Sequence, residues 1–274
     1  MDNLNKSTNC SGTRLPTIDG QIDWDKVALN YHQYILSPYA PEMVDFNHKQ
    51  SSRNLLLNYL YAIPDNTLSK MRVLDFGCGP GNLIPYMNKS MERVVGVDKS
   101  QDSLKVACML ADKHNIKFEY ICDDILNVND DLEFDLIISS NSILPNNREE
   151  VVAIFKKLCS LLSPNGMLLA ILPSFDTTIY LQELRVKENK LDKYEPVLMD
   201  EEILAYADDG YHLQCYHTPQ SILKETALAG LELKIMPQKV YYPWELCCKF
   251  GYGYYPQSQE EIWDWFIVAQ KGAL

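Results

Sequence analysis

A strand followed at once by a glycine-rich turn is the feature that most constrains this chain. Residues 71–82 read M-R-V-L-D-F-G-C-G-P-G-N, in which Val73, Leu74 and Phe76 form an apolar run typical of a buried strand. Asn82 is suited to cap a helix that we expect to begin there. Because glycine has no Cβ, the backbone of such a turn can approach a ligand closely, and a helix N-terminus adds N–H donors. The stretch therefore predicts a strand that ends in a nucleotide-binding loop.

The spacing of the glycines distinguishes between classes of loop. Dinucleotide-binding loops carry G-x-G-x-x-G, whereas Gly77, Gly79 and Gly81 run G-x-G-x-G, with Asp75 two residues upstream. The residues D-F-G-C-G-P-G resemble the first motif of class I S-adenosylmethionine-dependent methyltransferases. In that family the acidic residue and the loop backbone face the methionine end of the cofactor. A second acidic residue, at the end of the next strand, binds the ribose hydroxyls, and Asp98 at the end of R-V-V-G-V-D matches it.

The same resemblance implies further contacts with S-adenosyl-L-methionine. Asp123 or Asp124 would accept a hydrogen bond from the adenine amino group, with Ile125 beside the ring; a cap or turn role is the alternative for either aspartate. The string W-D-K-V-A-L-N-Y resembles the W-x-x-x-A-x-x-Y segment that precedes the core in small-molecule methyltransferases, which makes Tyr31 a candidate, with core packing as the alternative. The cofactor-binding candidates are Tyr31, Asp75, Gly77, Cys78, Gly79, Gly81, Asn82, Asp98, Lys99, Asp123, Asp124, Ile125, Ser139, Ser140 and Asn141.

The fold implied by the resemblance is α/β, a seven-stranded Rossmann-like sheet of order 3-2-1-4-5-7-6 with helices on both faces and strand 7 antiparallel. Apolar runs place its later strands at 117–122, 134–139, 167–172, 231–242 and 263–271. We expect a disordered tail over 1–20, an N-terminal helical cover over 21–66 and a methyltransferase domain over 67–274. A long, charged insertion at about 174–216 is predicted to be a lid over the substrate pocket.

The chemistry implied is in-line transfer of a methyl group, which needs positioning and exclusion of water and uses a base only when the acceptor carries a proton. Histidine suits that task, and His217 and His48 are the catalytic candidates among five histidines. The chain has seventeen tyrosines, most of which we expect to pack the lid. Tyr39, Tyr216, Tyr242 and Tyr254 are the substrate-binding candidates. Aromatic walls in an acidic field favour an apolar or cationic small molecule.

Composition limits the partners. The 274 residues carry a net charge of −12 and no lysine- or arginine-rich run, which argues against nucleic acid and anionic membrane surfaces as partners. Eight cysteines without a C-x-x-C pair fit a reducing cytoplasm and give no metal-binding pattern. No apolar run approaches the ~18 residues of a membrane helix. We therefore expect a cytoplasmic protein without a metal; its oligomeric state stays open.

The function favoured by these residues is S-adenosylmethionine-dependent methyl transfer to an oxygen, nitrogen or carbon nucleophile of a small molecule, of the kind used in specialised metabolism. Three alternatives remain. A protein or peptide methyltransferase would need an open groove in place of a lid. A non-catalytic scaffold would have no need of the acidic residues and glycines of the motif. A nicotinamide dehydrogenase would retain NAD and would carry the other glycine spacing.

Overall fold

An eight-stranded sheet forms the centre of the molecule in the computed structural model, which describes residues 17–18, 21–22, 54–87, 91–177, 206–208, 213–241 and 263–272. The strands of this sheet are β1 (Arg72–Phe76), β2 (Arg93–Asp98), β3 (Phe118–Cys122), β4 (Phe134–Ser140), β5 (Leu162–Leu172), β6 (Leu231–Leu233), β7 (Gln238–Tyr241) and β8 (Trp263–Lys271). In the described ranges, the helices of eight or more residues are α1 (Asn54–Ala62), α3 (Gln101–His114), α4 (Arg148–Leu161) and α5 (Pro219–Leu228), and a four-residue α2 (Asp65–Leu68) follows α1.

The strand order is β3-β2-β1-β4-β5-β8-β6, and β7 pairs with β8 as well. Strands β1 to β5 run parallel to one another, while β8 runs antiparallel to β5, β6 and β7. The expected order and the antiparallel last strand are therefore confirmed. The predicted sixth strand is divided in two: Leu233 pairs with Ala269 but Gln238 pairs with Phe266, which leaves two extra residues around Pro237. Proline has no N–H for the ladder and is found at such interruptions.

Helices cover both faces of the sheet. Side chains of α4 and α5, including Phe155 and Ile222, pack with Leu74 of β1 in one buried cluster. Side chains of α1 and α3, including Leu56 and Ala107, pack with Val73 in a second cluster. Successive residues of a strand point to opposite faces, so one short apolar run supplies both clusters. The sheet with helices on both faces that the resemblance implies is confirmed.

Helix capping follows the sequence signals closely. The Ser100 hydroxyl accepts a hydrogen bond from Ser103 N at 3.1 Å at the start of α3. At α5, Thr218 Oγ1 accepts from Ser221 N and Ser221 Oγ accepts from Thr218 N, a capping box followed by Pro219 at the first helical position. These caps satisfy N–H groups that a helix leaves unpaired at its start.

The helix expected at Asn82 is absent from residues 82–87, and that prediction is wrong. A 3₁₀ turn, Ile84–Tyr86, forms there instead, and Ile84 N donates to Gly81 O at 3.0 Å. An α-helix starting at Asn82 would need Pro85 to donate to the same carbonyl, and proline has no N–H. The glycine loop is therefore not followed by an α-helix N-terminus, and the dipole expected from one does not act on it.

Strand β5 also starts earlier than expected. The stretch L-S-P-N-G, whose composition is typical of a turn, is part of the strand: Leu162 pairs with Phe134, and Met167 pairs with Leu136. Between these two pairs, one residue of β4 thus lies opposite four of β5, which makes an irregular bulge. Glycine is required within it, because a Cβ at Gly166 would lie 2.8 Å from Phe134 O.

Two small hairpins lie outside this sheet. Thr17–Ile18 pairs with Gln21–Ile22 at the expected boundary between tail and cover, and Tyr206–Asp208 pairs with Leu213–Cys215 inside the expected lid. Both ends of the lid segment belong to the core, since Ser174 and Tyr216 are buried. The division into tail, cover and domain stays a prediction. Of the helices in the described ranges, none has both the length and the hydropathy that crossing a bilayer requires.

Candidate functional site

The glycine loop follows β1, the strand at which the sheet order reverses direction, with β2 on one side and β4 on the other. Open α/β sheets bind ligands at the carboxyl ends of strands at such a point. Gly77 and Gly79 have φ of +65° and +50°, values that side chains adopt with strain. A Cβ at Gly77 would lie 2.2 Å from Ser142 Oγ, whereas no atom of the described residues would lie within 4 Å of a Cβ at Gly79. The backbone at Gly79 therefore borders open space.

Asp98 lies at the tip of β2 with its carboxylate fixed against this loop. Its Oδ2 accepts from Gly79 N at 2.8 Å, and its Oδ1 accepts from Ser100 N at 2.8 Å. Charge-assisted bonds to backbone N–H groups hold a carboxylate firmly. The sequence prediction that Asp98 and the glycine loop meet at one edge of the sheet agrees with this geometry.

Asp75 is the most unusual group at this edge. It is 2 % exposed, and within the described ranges no donor reaches its Oδ2 atom. Burial, helped by the nearby Asp98 carboxylate, raises the pKa of Asp75 to about 7. A buried carboxylate without a full set of partners is unfavourable and marks a site that a positively charged ligand can complete.

Two other residues of the loop have packing roles. Cys78 is buried, and burial together with Asp75 and Asp98 raises the pKa of its thiol. A Cβ at Gly81 would lie 3.0 Å from Ala107 Cα, so that glycine allows the loop to rest on α3. Asn82 is half-buried beside them. These three predicted cofactor residues are thus in the loop, with Cys78 and Gly81 directed towards the protein.

The pair Asp123 and Asp124 lies beyond β3, and both side chains make local bonds. Asp124 Oδ1 accepts from Leu126 N at 2.9 Å, and its Oδ2 forms an ion pair with Lys99 Nζ at 2.5 Å. Asp123 Oδ1 accepts from Asp124 N and Asn127 Nδ2. Ile125 is buried next to them. The Lys99–Asp124 pair ties the tip of β2 to the loop after β3, next to Asp98.

The tip of β4 forms the other side of the loop. Ser139 is fully buried, and among the described residues its hydroxyl has no hydrogen-bond partner. Ser140 O accepts from Ser142 Oγ, which also donates to Gly77 O. Asn141 has a φ of +53°, and its Nδ2 donates to Asp264 Oδ2 on β8 at 2.9 Å. This edge therefore continues from the glycine loop across β4 towards β5 and β8.

The remaining candidates are divided between described and undescribed parts of the chain. His217 is fully buried next to the end of β5, and Tyr216 is buried beside it. Tyr31, Tyr39, His48, Tyr242 and Tyr254 lie outside the described residues.

Three site residues had no sequence signal: Arg148, Glu225 and Asp264. Glu225 bonds to both Arg148 and His217, and Asp264 bonds to Asn141. Their partners are up to 123 residues away in the chain, so spacing could not reveal them. Within the described ranges, no group of three His, Cys, Asp or Glu side chains is arranged to hold a metal ion.

Comparison with known proteins decides the family. A family model described as "Methyltransferase domain" matches residues 67–227, which is more than half of the chain. The chain belongs to this methyltransferase family. The resemblance to class I S-adenosylmethionine-dependent methyltransferases, drawn from Asp75, the glycines and Asp98, is thereby confirmed at the level of the family.

Curated methyltransferases are similar over part of the chain. A ubiquinone biosynthesis O-methyltransferase of Bradyrhizobium diazoefficiens is 30 % identical over 103 residues, 38 % of this chain and 40 % of that enzyme. An uncharacterized methyltransferase of Schizosaccharomyces pombe is 31 % identical over 109 residues, which are 36 % of this chain and 38 % of that protein. The methyltransferase chain thus spans about two fifths of the length of these curated relatives.

Solved structures extend the likeness to almost the whole chain, at the level of the fold. The magnesium protoporphyrin IX methyltransferase of Synechocystis, solved with bound SAH, superposes with a TM-score of 0.62 at 14 % identity. The superposition covers 91 % of this methyltransferase and 96 % of that enzyme. The Rossmann-like methyltransferase fold expected from the sequence is confirmed.

Proposed function

We propose that this methyltransferase transfers the methyl group of S-adenosylmethionine to a nucleophile of a small molecule, with oxygen as the favoured acceptor among oxygen, nitrogen and carbon. The observation that carries the proposal is the pair of carboxylates beside open space at Gly79: Asp98 fixed by two backbone donors, and Asp75 buried with Oδ2 unpartnered in the described ranges. Oxygen is favoured because the curated relative from Bradyrhizobium diazoefficiens is named as an O-methyltransferase.

The residues at the sheet edge fit the cofactor. S-adenosylmethionine supplies a methyl group on a sulfonium centre and carries an ammonium group, both positively charged. The carboxylate of Asp75 can balance this charge, and the rigid Asp98 carboxylate can accept hydrogen bonds from two ribose hydroxyls. Asp123 retains its Oδ2 for the adenine amino group, since its Oδ1 already serves two local donors. Ile125 offers an apolar surface beside it.

The partners and the location form part of the same proposal. A net charge of −12 without a basic run supports a small-molecule acceptor in place of nucleic acid. Cys78, Cys108, Cys159 and Cys215 are free thiols, which supports a reducing, cytoplasmic setting.

Calorimetry with S-adenosylmethionine and S-adenosylhomocysteine tests the proposal. Both ligands should bind the purified chain, and NAD should not. Asp98→Ala removes the ribose acceptor, and Gly79→Val fills the open space with a side chain, so each should reduce affinity by about 1 to 3 kcal/mol or more. Asp131→Ala, an exposed aspartate at the opposite edge, is the matched control and should bind like the wild type. Unchanged affinity in both site variants would refute the assignment.

A further inference from the structure

Three charged or titratable side chains meet at the carboxyl edge of the sheet, where α4 and α5 begin. Arg148 Nη1 lies 2.9 Å from Glu225 Oε1, and Glu225 Oε2 lies 3.2 Å from His217 Nδ1. The side chains of Arg148, Glu225 and His217 are 11 %, 5 % and 0 % exposed. Arg148 Nη2 also donates to Tyr216 O. We call these three residues the Arg–Glu–His cluster.

The charges of the Arg–Glu–His cluster determine which nitrogen of the imidazole carries its proton. Arginine is always charged in proteins, and Glu225 as a carboxylate balances it, so the buried pair is neutral overall. A carboxylate accepts only, and therefore His217 donates from Nδ1 to Glu225 Oε2. With the proton on Nδ1, the neutral ring presents a lone pair at Nε2.

The backbone of His217 is fixed as firmly as its ring. Its N–H donates to Pro173 O at 2.8 Å, and its carbonyl accepts from Phe175 N at 2.9 Å and from Trp265 Nε1 at 3.0 Å. Among the described residues, Nε2 is the polar atom of His217 that has no partner, although it is buried. A buried ring nitrogen with every other group held in place is the arrangement of an oriented base.

The position of His217 connects it with the candidate site. It pairs with Ser174 in the continuation of β5. Ser174 N donates to Asp264 Oδ1 at 3.3 Å, and Asp264 Oδ2 accepts from Asn141 Nδ2 at the tip of β4. The glycine loop bonds to Ser142 of the same tip. Hydrogen bonds along the carboxyl edge thus link the tip of β4, next to the glycine loop, with the backbone of His217.

We propose that His217 Nε2 accepts the proton of the acceptor hydroxyl, and that Glu225 and Arg148 are positioning residues that hold His217 in the Nδ1–H form. This inference rests on the proposed function. As the acceptor oxygen forms its bond to the methyl carbon, the carbon–sulfur bond breaks and its electron pair stays on sulfur. The hydroxyl proton moves to Nε2, which leaves a methyl ether, S-adenosylhomocysteine and an imidazolium stabilised by Glu225; the proton is later lost to water.

The rival explanation is structural: the Arg–Glu–His cluster would only join α4 to α5, and the tautomer of His217 would not matter. The two explanations differ in what they predict for the imidazole and for acceptors of different acidity. A base is needed for a hydroxyl that is protonated at the working pH, and it is not needed for one that is already ionised.

Nitrogen NMR of full-length protein labelled with ¹⁵N-histidine tests the positioning directly. His217→Gln assigns the signal. In the wild type at pH 7.5, Nδ1 should carry the proton and Nε2 should be bare. Glu225→Gln should lose this strict preference, because an amide can donate to Nδ1 as well as accept from it. Glu232→Gln, an exposed glutamate on β6, should leave the signal unchanged. A proton on Nε2 in the wild type would overturn the proposal, even if no acceptor is known.

Methyl transfer to two phenols tests the base. 4-Nitrophenol is ionised at pH 8, whereas 4-methoxyphenol is not. His217→Gln should reduce kcat with 4-methoxyphenol about 100-fold or more and leave 4-nitrophenol within a few-fold. Glu225→Gln should reduce kcat for 4-methoxyphenol on the order of tenfold with little change in KM. Equal losses with both phenols, or no loss with either, would contradict the proposal.

Cofactor binding separates this inference from the proposed function. His217→Gln and Glu225→Gln should bind S-adenosylhomocysteine with wild-type affinity, since neither residue contacts the glycine loop in the structure. Wild-type protein that fails to bind S-adenosylhomocysteine would overturn the proposed function. Protein that binds it but has its Nε2 protonated would overturn the role of His217 alone.

Discussion

Asp75 is a carboxylate that folding places in an unfavourable environment. Burial and the neighbouring Asp98 raise its pKa to about 7, from an ordinary value of 3.8. Between these two values the folded protein retains a proton that the unfolded chain has released. The free energy of unfolding therefore falls as pH rises from about 4, and the loss is complete once pH exceeds the folded pKa. Such a group costs stability, and its benefit must lie in what it binds.

Asp75→Asn should therefore make the protein more stable and a weaker binder. Asparagine cannot ionise, so the variant should gain on the order of a few kcal/mol over the wild type at pH 8 and much less at pH 5. Urea unfolding at several pH values measures this difference, and calorimetry should show weaker binding of S-adenosylmethionine. Asp131→Asn, which is exposed, is the control. A stability difference that does not change with pH would contradict the explanation.

Residue by residue, the meeting of the glycine loop with Asp75 and Asp98 at one edge of the sheet could be predicted from the sequence. Asp75, Gly79 and Asp98 lie within 24 positions of one another on adjacent strands of a standard unit, so spacing alone brings them together. The contacts on the other side of the site could not be predicted from the sequence. There Arg148 meets Glu225 across 77 positions of the chain, and Asn141 meets Asp264 across 123. Such pairs depend on how distant elements pack, which no local pattern records. His217 could be named from its chemistry, but its partners could not.

At the level of elements, proline accounts for two of the differences from expectation. Pro85 removes the bond that an α-helix after the glycine loop would need, and Pro237 interrupts the sixth strand. Both prolines were visible in the sequence. The bulge in β5 was less accessible, because L-S-P-N-G has the composition of a turn, and only its pairing with β4 shows that it remains in the sheet.

A buried ion pair between Arg148 and Glu225 adds to the apolar packing of α4 on α5, which gives a prediction for stability. Arg148→Met should destabilise the fold by about 3 to 5 kcal/mol, since it leaves Glu225 charged and buried without its partner. The control is Arg93→Met, which breaks an exposed pair with Glu119 and should cost less than about 1 kcal/mol. Urea unfolding followed by far-ultraviolet circular dichroism measures both. Equal decreases in the free energy of unfolding of the two variants would show that burial does not increase the contribution of the ion pair to stability.

At the scale of the whole molecule, the candidate site connects elements that are far apart in the chain. The loop after β1, the tip of β2 and the tip of β4 bond to one another, and β4 bonds on to β8. A ligand that contacts this edge therefore binds only the folded molecule, so its binding energy adds to global stability.

S-adenosylhomocysteine at about 100 times its dissociation constant should raise the free energy of unfolding by roughly 2.7 kcal/mol. Thermal and urea unfolding with increasing ligand measure the shift. NAD at the same concentrations is the control ligand and should have no effect. Stabilisation by NAD without stabilisation by S-adenosylhomocysteine would favour the dehydrogenase alternative and contradict the proposed cofactor.

Strand β8 pairs with β5 on one side and with β6 and β7 on the other. It is also the last of these strands to leave the ribosome. Until Trp263–Lys271 emerges, the nascent chain has β5 as an unpaired edge rich in leucine, and β6 and β7 have no partner in the sheet. Exposed apolar edges of this kind invite pairing with other chains. Chaperones that shield extended apolar segments during translation should therefore matter most for this protein in the interval before β8 is made.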